Sequence, residues 1–157
     1  MNHSIRDARI SVGAKSNKPR VLVIEDDLNM RIYLCNLLRG GGFDPVDAHD
    51  RKIGLKKARS SPPDLIVLDG MMPDETSPEI YYQLKSDPEL HHIPVIMLAT
   101  IDQRTFCYYH RCRSLQHPTR VPDPEAYMTK PPEAEEFLEV VRRLAELSAI
   151  TNSRGSP

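Results

Sequence analysis

Three short runs of consecutive apolar residues punctuate the chain, and each stops at a polar or small residue. Val21-Leu22-Val23-Ile24 runs into Glu25-Asp26-Asp27, Leu65-Ile66-Val67-Leu68 into Asp69-Gly70, and Val95-Ile96-Met97-Leu98 into Ala99-Thr100. Unbroken apolar runs of this length, bounded by turn residues, suit strands buried on both faces of a parallel sheet. Ala126-Tyr127-Met128-Thr129 reads as a shorter strand ending at Lys130-Pro131-Pro132. Phe43 to His49 can also form a strand, but Pro45 interrupts it; proline cannot donate to a central ladder, so this strand belongs at a sheet edge. Between the strands the period changes from two to that of a helix. Met30, Leu34, Leu37 and Leu38 share one face of a helix that Gly40-Gly41-Gly42 terminates. Asp50 to Ser60 reads as a short basic helix with Ile53, Leu55 and Ala58 as its apolar residues. Ser77-Pro78-Glu79 has the order of N-cap, first-turn proline and acidic first turn, predicting a helix to about Ser86, where Asp87-Pro88 ends it. Phe137, Val140, Val141, Leu144 and Leu147 form the apolar stripe of a last helix from about Glu133 to Ile150. The stretch from Ile101 to Pro124 is the least regular.

Strands alternating with helices predict an α/β domain: a five-stranded, doubly wound parallel sheet with right-handed crossovers. With the Pro45 strand at the edge, the order is 2-1-3-4-5, and a crevice opens at the carboxyl ends of the first and third strands. Glu25-Asp26 ends one of those strands and Asp69 the other. The chain of 157 residues holds one such domain, residues 20–150, flanked by a polar arm (1–19) and a frayed tail (151–157). Basic and acidic residues nearly balance, 21 against 22, so no global field favours nucleic acid or a membrane surface. No apolar run has the length of a membrane span or the form of a signal peptide, and three cysteines are too few for a disulfide framework. A reducing cytoplasm is the expected location.

Taken alone, Asp69 reads as a turn cap. Its company changes that reading. Three carboxylates converging in one crevice repel unless a cation sits among them. Carboxylates are hard ligands that suit Mg²⁺, which takes one or two of them with a carbonyl and waters at roughly 2.0–2.1 Å. Lys130, at the end of the fifth strand, brings a positive point charge to the same edge. A carboxylate nucleophile, a divalent metal and a lysine are the parts that phosphoryl transfer onto an aspartate requires.

In these pieces, in this order, the sequence closely resembles the receiver domain of two-component response regulators. Val21 to Asp27 with Arg31, Leu65 to Pro73, Ile93 to Leu98, and Tyr127 to Pro131 carry the likeness, which covers about Pro19 to Ile150. The resemblance implies a flavodoxin-like fold and a phosphoryl group accepted on Asp69 from a sensor histidine kinase or a histidine phosphotransfer protein. It implies that Asp26, Asp69 and the Met71 carbonyl hold Mg²⁺ directly, Glu25 acting mainly through water, and that Lys130 contacts the phosphoryl group. Tyr127 falls at the family's switch aromatic; a strand-end tyrosine packed on the last helix is the plainer alternative. The implied activity is limited to phosphorylation and dephosphorylation of the chain's own Asp69, controlling a downstream protein target or relaying phosphate. The expected form is a receiver standing alone. A homodimer through the 101–150 face is compatible with the pattern, and nothing in the sequence requires it.

The chain departs from that family in several places. Receivers usually end the fourth strand in Thr or Ser followed by a small residue; here Ala99-Thr100 puts the hydroxyl one place late. Successive strand side chains point to opposite faces, so either a bulge shifts the strand end or Ala99 leaves the phosphate without its hydroxyl partner. The 101–124 segment is longer than usual, with Asp123-Pro124 in place of Gly-Ala, and holds Cys107, His110, Cys112 and His117. Their spacing matches none of the common zinc patterns, and ordinary side chains on an irregular helix are the favoured reading. Apolar Met71 and Ile101 offer nothing to position an attacking water. These departures motivate an alternative function, a degenerate receiver acting as a phosphorylation-independent interaction module.

Overall fold

The computed structural model describes residues 17–71, 77–114 and 121–154. Five parallel strands, β1 (Arg20–Ile24), β2 (Asp44–Ala48), β3 (Leu65–Asp69), β4 (Val95–Ala99) and β5 (Ala126–Thr129), form one sheet in the order β2-β1-β3-β4-β5. Helices α1 (Leu28–Gly40), α2 (Arg51–Ser60), α3 (Ser77–Ser86), α4 (Gln103–Ser114) and α5 (Ala134–Arg154) follow the strands in turn. The expected architecture and strand order are present. Pro45 sits in edge strand β2, opposite Val21 of β1.

Side-chain alternation divides the core in two. Leu22, Ile24, Ile66, Leu68, Val95 and Met97 face one side, where α2, α3 and α4 contribute Leu55, Ala58, Ile80, Leu84 and Phe106. Val21, Val23, Leu65, Val67, Ile96, Leu98 and Met128 face the other, against Leu34, Cys35 and Leu38 of α1 and Phe137, Val141 and Leu144 of α5. Both faces of the central strands are covered, which is why they read as unbroken apolar runs. Continuing the same alternation past the strand ends places Glu25, Asp69 and Lys130 on the α1–α5 side. Cys35 is a buried member of this core, as a small hydrophobe would be.

Two elements differ from the sequence expectation. The stretch after Ile101 contains a regular helix, α4. Its start is fixed by Asp102, whose carboxylate accepts from the Thr105 backbone N–H at 3.0 Å and from its hydroxyl at 2.6 Å, and Phe106 anchors it in the core. Among the described side chains of this helix Phe106 is the buried one, and the sequence shows no apolar stripe. Helix α5 continues through Arg154, past the expected end at Ile150; hydroxyls of Thr151 and Ser153 bond back to the Leu147 and Ala149 carbonyls within it. The polar arm, apart from residues 17–19, and the final three residues lie outside the described residues.

Candidate functional site

The carboxyl ends of β1, β3 and β5 bring Glu25, Asp26, Asp69 and Lys130 together. One carboxylate oxygen from each of Glu25, Asp26 and Asp69 lies within 4.8 Å of the others. Lys130 Nζ is 2.7 Å from Glu25 Oε2 and 3.1 Å from Asp69 Oδ1. Glu25 and Asp69 are buried, at 1% and 2% exposure, while Asp26 opens to solvent. The acidic ends of two strands and the lysine of a third thus form one cluster.

Local interactions explain why the chain presents these groups. Arg31, on the first turns of α1, donates from Nη1 to the Glu25 carbonyl at 2.9 Å and from Nε to Asp47 Oδ2 at 3.1 Å, bracing the β1–α1 turn against β2. Asp27 caps α1, accepting from Met30 N at 2.7 Å, while its own N–H donates to Glu25 Oε1 at 3.1 Å. Asp69 Oδ1 accepts from Met71 N at 2.9 Å, which turns the chain at the end of β3. Gly70 passes so close to β4 and α4 that a Cβ there would lie 2.9 Å from Phe106 Cε2 and 3.1 Å from the Leu98 carbonyl oxygen. Lys130 N donates to the Ala99 carbonyl at 2.8 Å, and Tyr33 of α1 donates its hydroxyl to the Pro132 carbonyl at 3.0 Å. The Lys130–Pro131 peptide is cis. Sequence reasoning gave no role to Tyr33 or Gly70: the first acts across 99 residues, and the second is one of seven glycines until its neighbours are known.

The electrostatics follow from this crowding. Burial pushes the Glu25 carboxyl up to about 7, with the Asp69 charge adding to the rise and Lys130 opposing it. Burial, then the adjacent Asp69, raises Asp26 as well. Lys130 is pulled down by burial, but its contacts with Glu25 and Asp69 outweigh that and hold it above the ordinary lysine range. Three carboxylates against one ammonium leave the cluster two negative charges in excess when all are ionised. Hard oxygen donors with uncompensated charge fit a divalent cation such as Mg²⁺.

Ala99, Thr100 and Tyr127, the positions at which a switch is expected, are arranged differently from the cluster. Ala99 is fully buried, and no bulge shifts it: β3 and β4 stay in register to Asp69↔Leu98, and β4 and β5 to Ala99↔Thr129. Of the two alternatives for Ala99-Thr100, a regular strand end is therefore the one observed. The Thr100 hydroxyl is exposed and donates to Met71 Sδ at 3.4 Å, alongside the cluster. Tyr127 packs on Phe106 with ring centroids 5.0 Å apart, and its hydroxyl donates to the Ile101 carbonyl at 2.5 Å. Of the possible zinc ligands only the half-buried, free Cys107 is described; the side chains of His110 and Cys112, and all of His117, lie outside the described residues.

A family model described as the response regulator receiver domain matches residues 21–109. The chain belongs to that family. Among similar proteins is the hybrid signal transduction histidine kinase D of Dictyostelium discoideum, 42% identical over 83 residues, which are 53% of this chain and 5% of the kinase. The phosphate regulon transcriptional regulatory protein PhoB of Escherichia coli is 32% identical over 133 residues, 82% of this chain and 54% of PhoB. Much of each of these relatives therefore lies beyond what the chain spans. The crystal structure of Vibrio cholerae chemotaxis protein CheY4 shares the fold at a TM-score of 0.69 and 21% identity, covering 81% of this chain and 98% of that one. As a receiver, the chain is a module of two-component signalling. Among its described residues no helix is long and apolar enough to cross a membrane.

Proposed function

We propose that this receiver accepts a phosphoryl group on Asp69 from a histidine kinase or histidine phosphotransfer protein, and that the modified domain controls a partner protein or passes the phosphate on. The observation that carries this reading is Lys130 Nζ lying 3.1 Å from Asp69 Oδ1 beside two further carboxylates. An Asp69 oxygen attacks phosphorus, the P–N bond of the donor phosphohistidine breaks, and the released imidazole takes a proton. Lys130, already cationic, compensates the oxygens of the arriving group without a proton transfer. Asp26, Asp69 and the Met71 carbonyl would hold Mg²⁺, with Glu25 acting through water. Bound there, the metal supplies Lewis-acid stabilisation of the phosphoryl oxygens. The braced Glu25 carbonyl and the Asp27 cap keep the carboxylates in place while the group arrives.

The test is mass spectrometry after treatment with acetyl phosphate, with and without Mg²⁺. A single phosphoryl adduct that needs Mg²⁺ and is absent from Asp69→Ala supports the reading; no adduct in the wild-type chain sinks it. A second reading, a phosphorylation-independent interaction module, draws on Ala99, which offers the phosphate no hydroxyl. Absence of the adduct, with partner binding unaffected by Asp69→Ala, would favour that reading.

A further inference from the structure

We propose that the groove between α2 and α3, on the flank of the domain, docks an acidic peptide segment of a partner protein. Although the chain carries a net charge of −1, α2 holds Arg51, Lys52, Lys56, Lys57 and Arg59 with no acidic residue among its ten. Beside it runs a groove of about 610 Å³ lined by Leu55, Gln83 and the stems of four of these cations.

The cations divide into two kinds. Arg51 and Arg59 are engaged: Arg51 Nη1 lies 2.8 Å from Glu79 Oε2 and Arg59 Nε 3.3 Å from Asp87 Oδ2, so the two pairs tie α2 to α3 and to the residue just after it. Lys57 turns away and donates to the Asp47 carbonyl at 2.5 Å. Lys52 and Lys56 are exposed and make no ion pair or hydrogen bond with any described residue. Four residues apart, they project from one face of the helix about 5–6 Å from each other at Cβ.

That pattern selects the ligand. Two ammonium groups unpaired among the described residues, beside a groove lined by the edge of buried Leu55 and by aliphatic stems, match a peptide with two spaced carboxylates and an apolar residue between them. Nucleic acid fits poorly: a protein held on DNA neutralises on the order of six to ten phosphates, and among the described residues only two of the four cations lining this groove lack a partner. None of the residues lining the groove belongs to the Asp69 cluster, and the proposal does not depend on its chemistry.

Fluorescence polarisation with a fluorescein-labelled peptide rich in glutamate and leucine tests the proposal, using the full chain and the Lys52→Glu/Lys56→Glu double variant. Saturable binding that weakens at least about tenfold in the double variant, and also with rising salt, is the expected result. An unchanged circular dichroism spectrum and melting temperature in the variant would establish that it is folded. Failure of the peptide to bind the wild-type chain, equal binding by the folded variant, or tighter binding of a single-stranded oligonucleotide would each overturn the proposal.

Discussion

Ala99 is the residue at which this receiver is expected to behave unlike its relatives. Its backbone stands between Asp69 and Lys130, since Gly70 N donates to the Leu98 carbonyl at 2.6 Å and Lys130 N to that of Ala99 at 2.8 Å. Where the family's pattern has a hydroxyl, this chain has a methyl, which cannot bond to a phosphoryl group. Tyr127, meanwhile, is already held by the Ile101 carbonyl. Phosphorylation should therefore proceed while Tyr127 responds little. Adding acetyl phosphate and Mg²⁺ should shift the Tyr127 ring resonances only slightly in the wild-type NMR spectrum and clearly in Ala99→Thr. Equal shifts in both proteins would contradict the prediction. Loss of the phosphoryl group is a second matter settled by single residues. Met71, 47% exposed, and half-buried Ile101 flank the site with apolar surface and give an attacking water nothing to bond. The phospho-Asp69 form should outlast seconds in pulse-chase labelling, and a lifetime of seconds would count against this account.

Between elements, the decisive contact is an ion pair between a buried lysine and a partly exposed glutamate. Lys85, at the end of α3, has its side chain 1% exposed and reaches Glu125 Oε1 at 2.8 Å and the Ile93 carbonyl at 2.9 Å. The second Glu125 oxygen accepts from Val95 N at 2.6 Å, so one carboxylate joins α3, the start of β4 and the approach to β5. Its removal should hurt more than removal of the lysine. Glu125→Ala leaves a buried ammonium without its counter-ion and a β4 N–H without its acceptor, for about 2–4 kcal/mol, whereas Lys85→Met leaves a carboxylate that reaches solvent, for about 1–2 kcal/mol. Urea melts should show that order; the reverse order would mean that Glu125 is not the anchor. Nothing in the sequence pointed to this pair, because its partners are 40 residues apart and neither interrupts an apolar pattern. The strands were legible for the opposite reason. Each central strand is covered on both faces, so its apolar run is unbroken, and the residue that ends the run stands at the crevice. Asp69 and Glu25 could be placed together on that ground; Lys130 could be placed only through the shorter, less regular run of edge strand β5. Helix α4 could not be, since Phe106 is its single described buried residue and cap chemistry at Asp102 leaves no periodic trace.

For the molecule as a whole, the charge excess at the crevice should couple folding to protons and to any divalent cation bound there. The Glu25 carboxyl stands near 4.5 when the chain is unfolded and at about 7 in the fold. A raised carboxylate means that the native state holds its proton more tightly than the unfolded state. The associated stability is fully present below about 4.5 and is lost as pH rises toward about 7, by up to roughly 3 kcal/mol at 1.36 kcal/mol per unit. Asp26 shifts in the same direction. Asp87, Asp102 and Glu133 are held low by backbone and hydroxyl hydrogen bonds and act in the opposite sense, losing stability only in more acidic solution. The Glu25 contribution is therefore isolated as the difference between wild type and Glu25→Gln across pH 5 to 8. Without metal, the wild type should lose stability relative to Glu25→Gln as pH rises through this range. Mg²⁺ at about a hundred times its Kd should return roughly 2.7 kcal/mol to the wild type, by binding the native state alone. Because the cation and the proton compete for the same carboxylates, its affinity should climb with pH up to about 7 and then level off. Thermal melts with Mg²⁺ and with a chelator measure both effects. A wild-type stability curve parallel to that of Glu25→Gln, or an Mg²⁺ effect independent of pH, would show that the crevice does not carry the charge imbalance assigned to it.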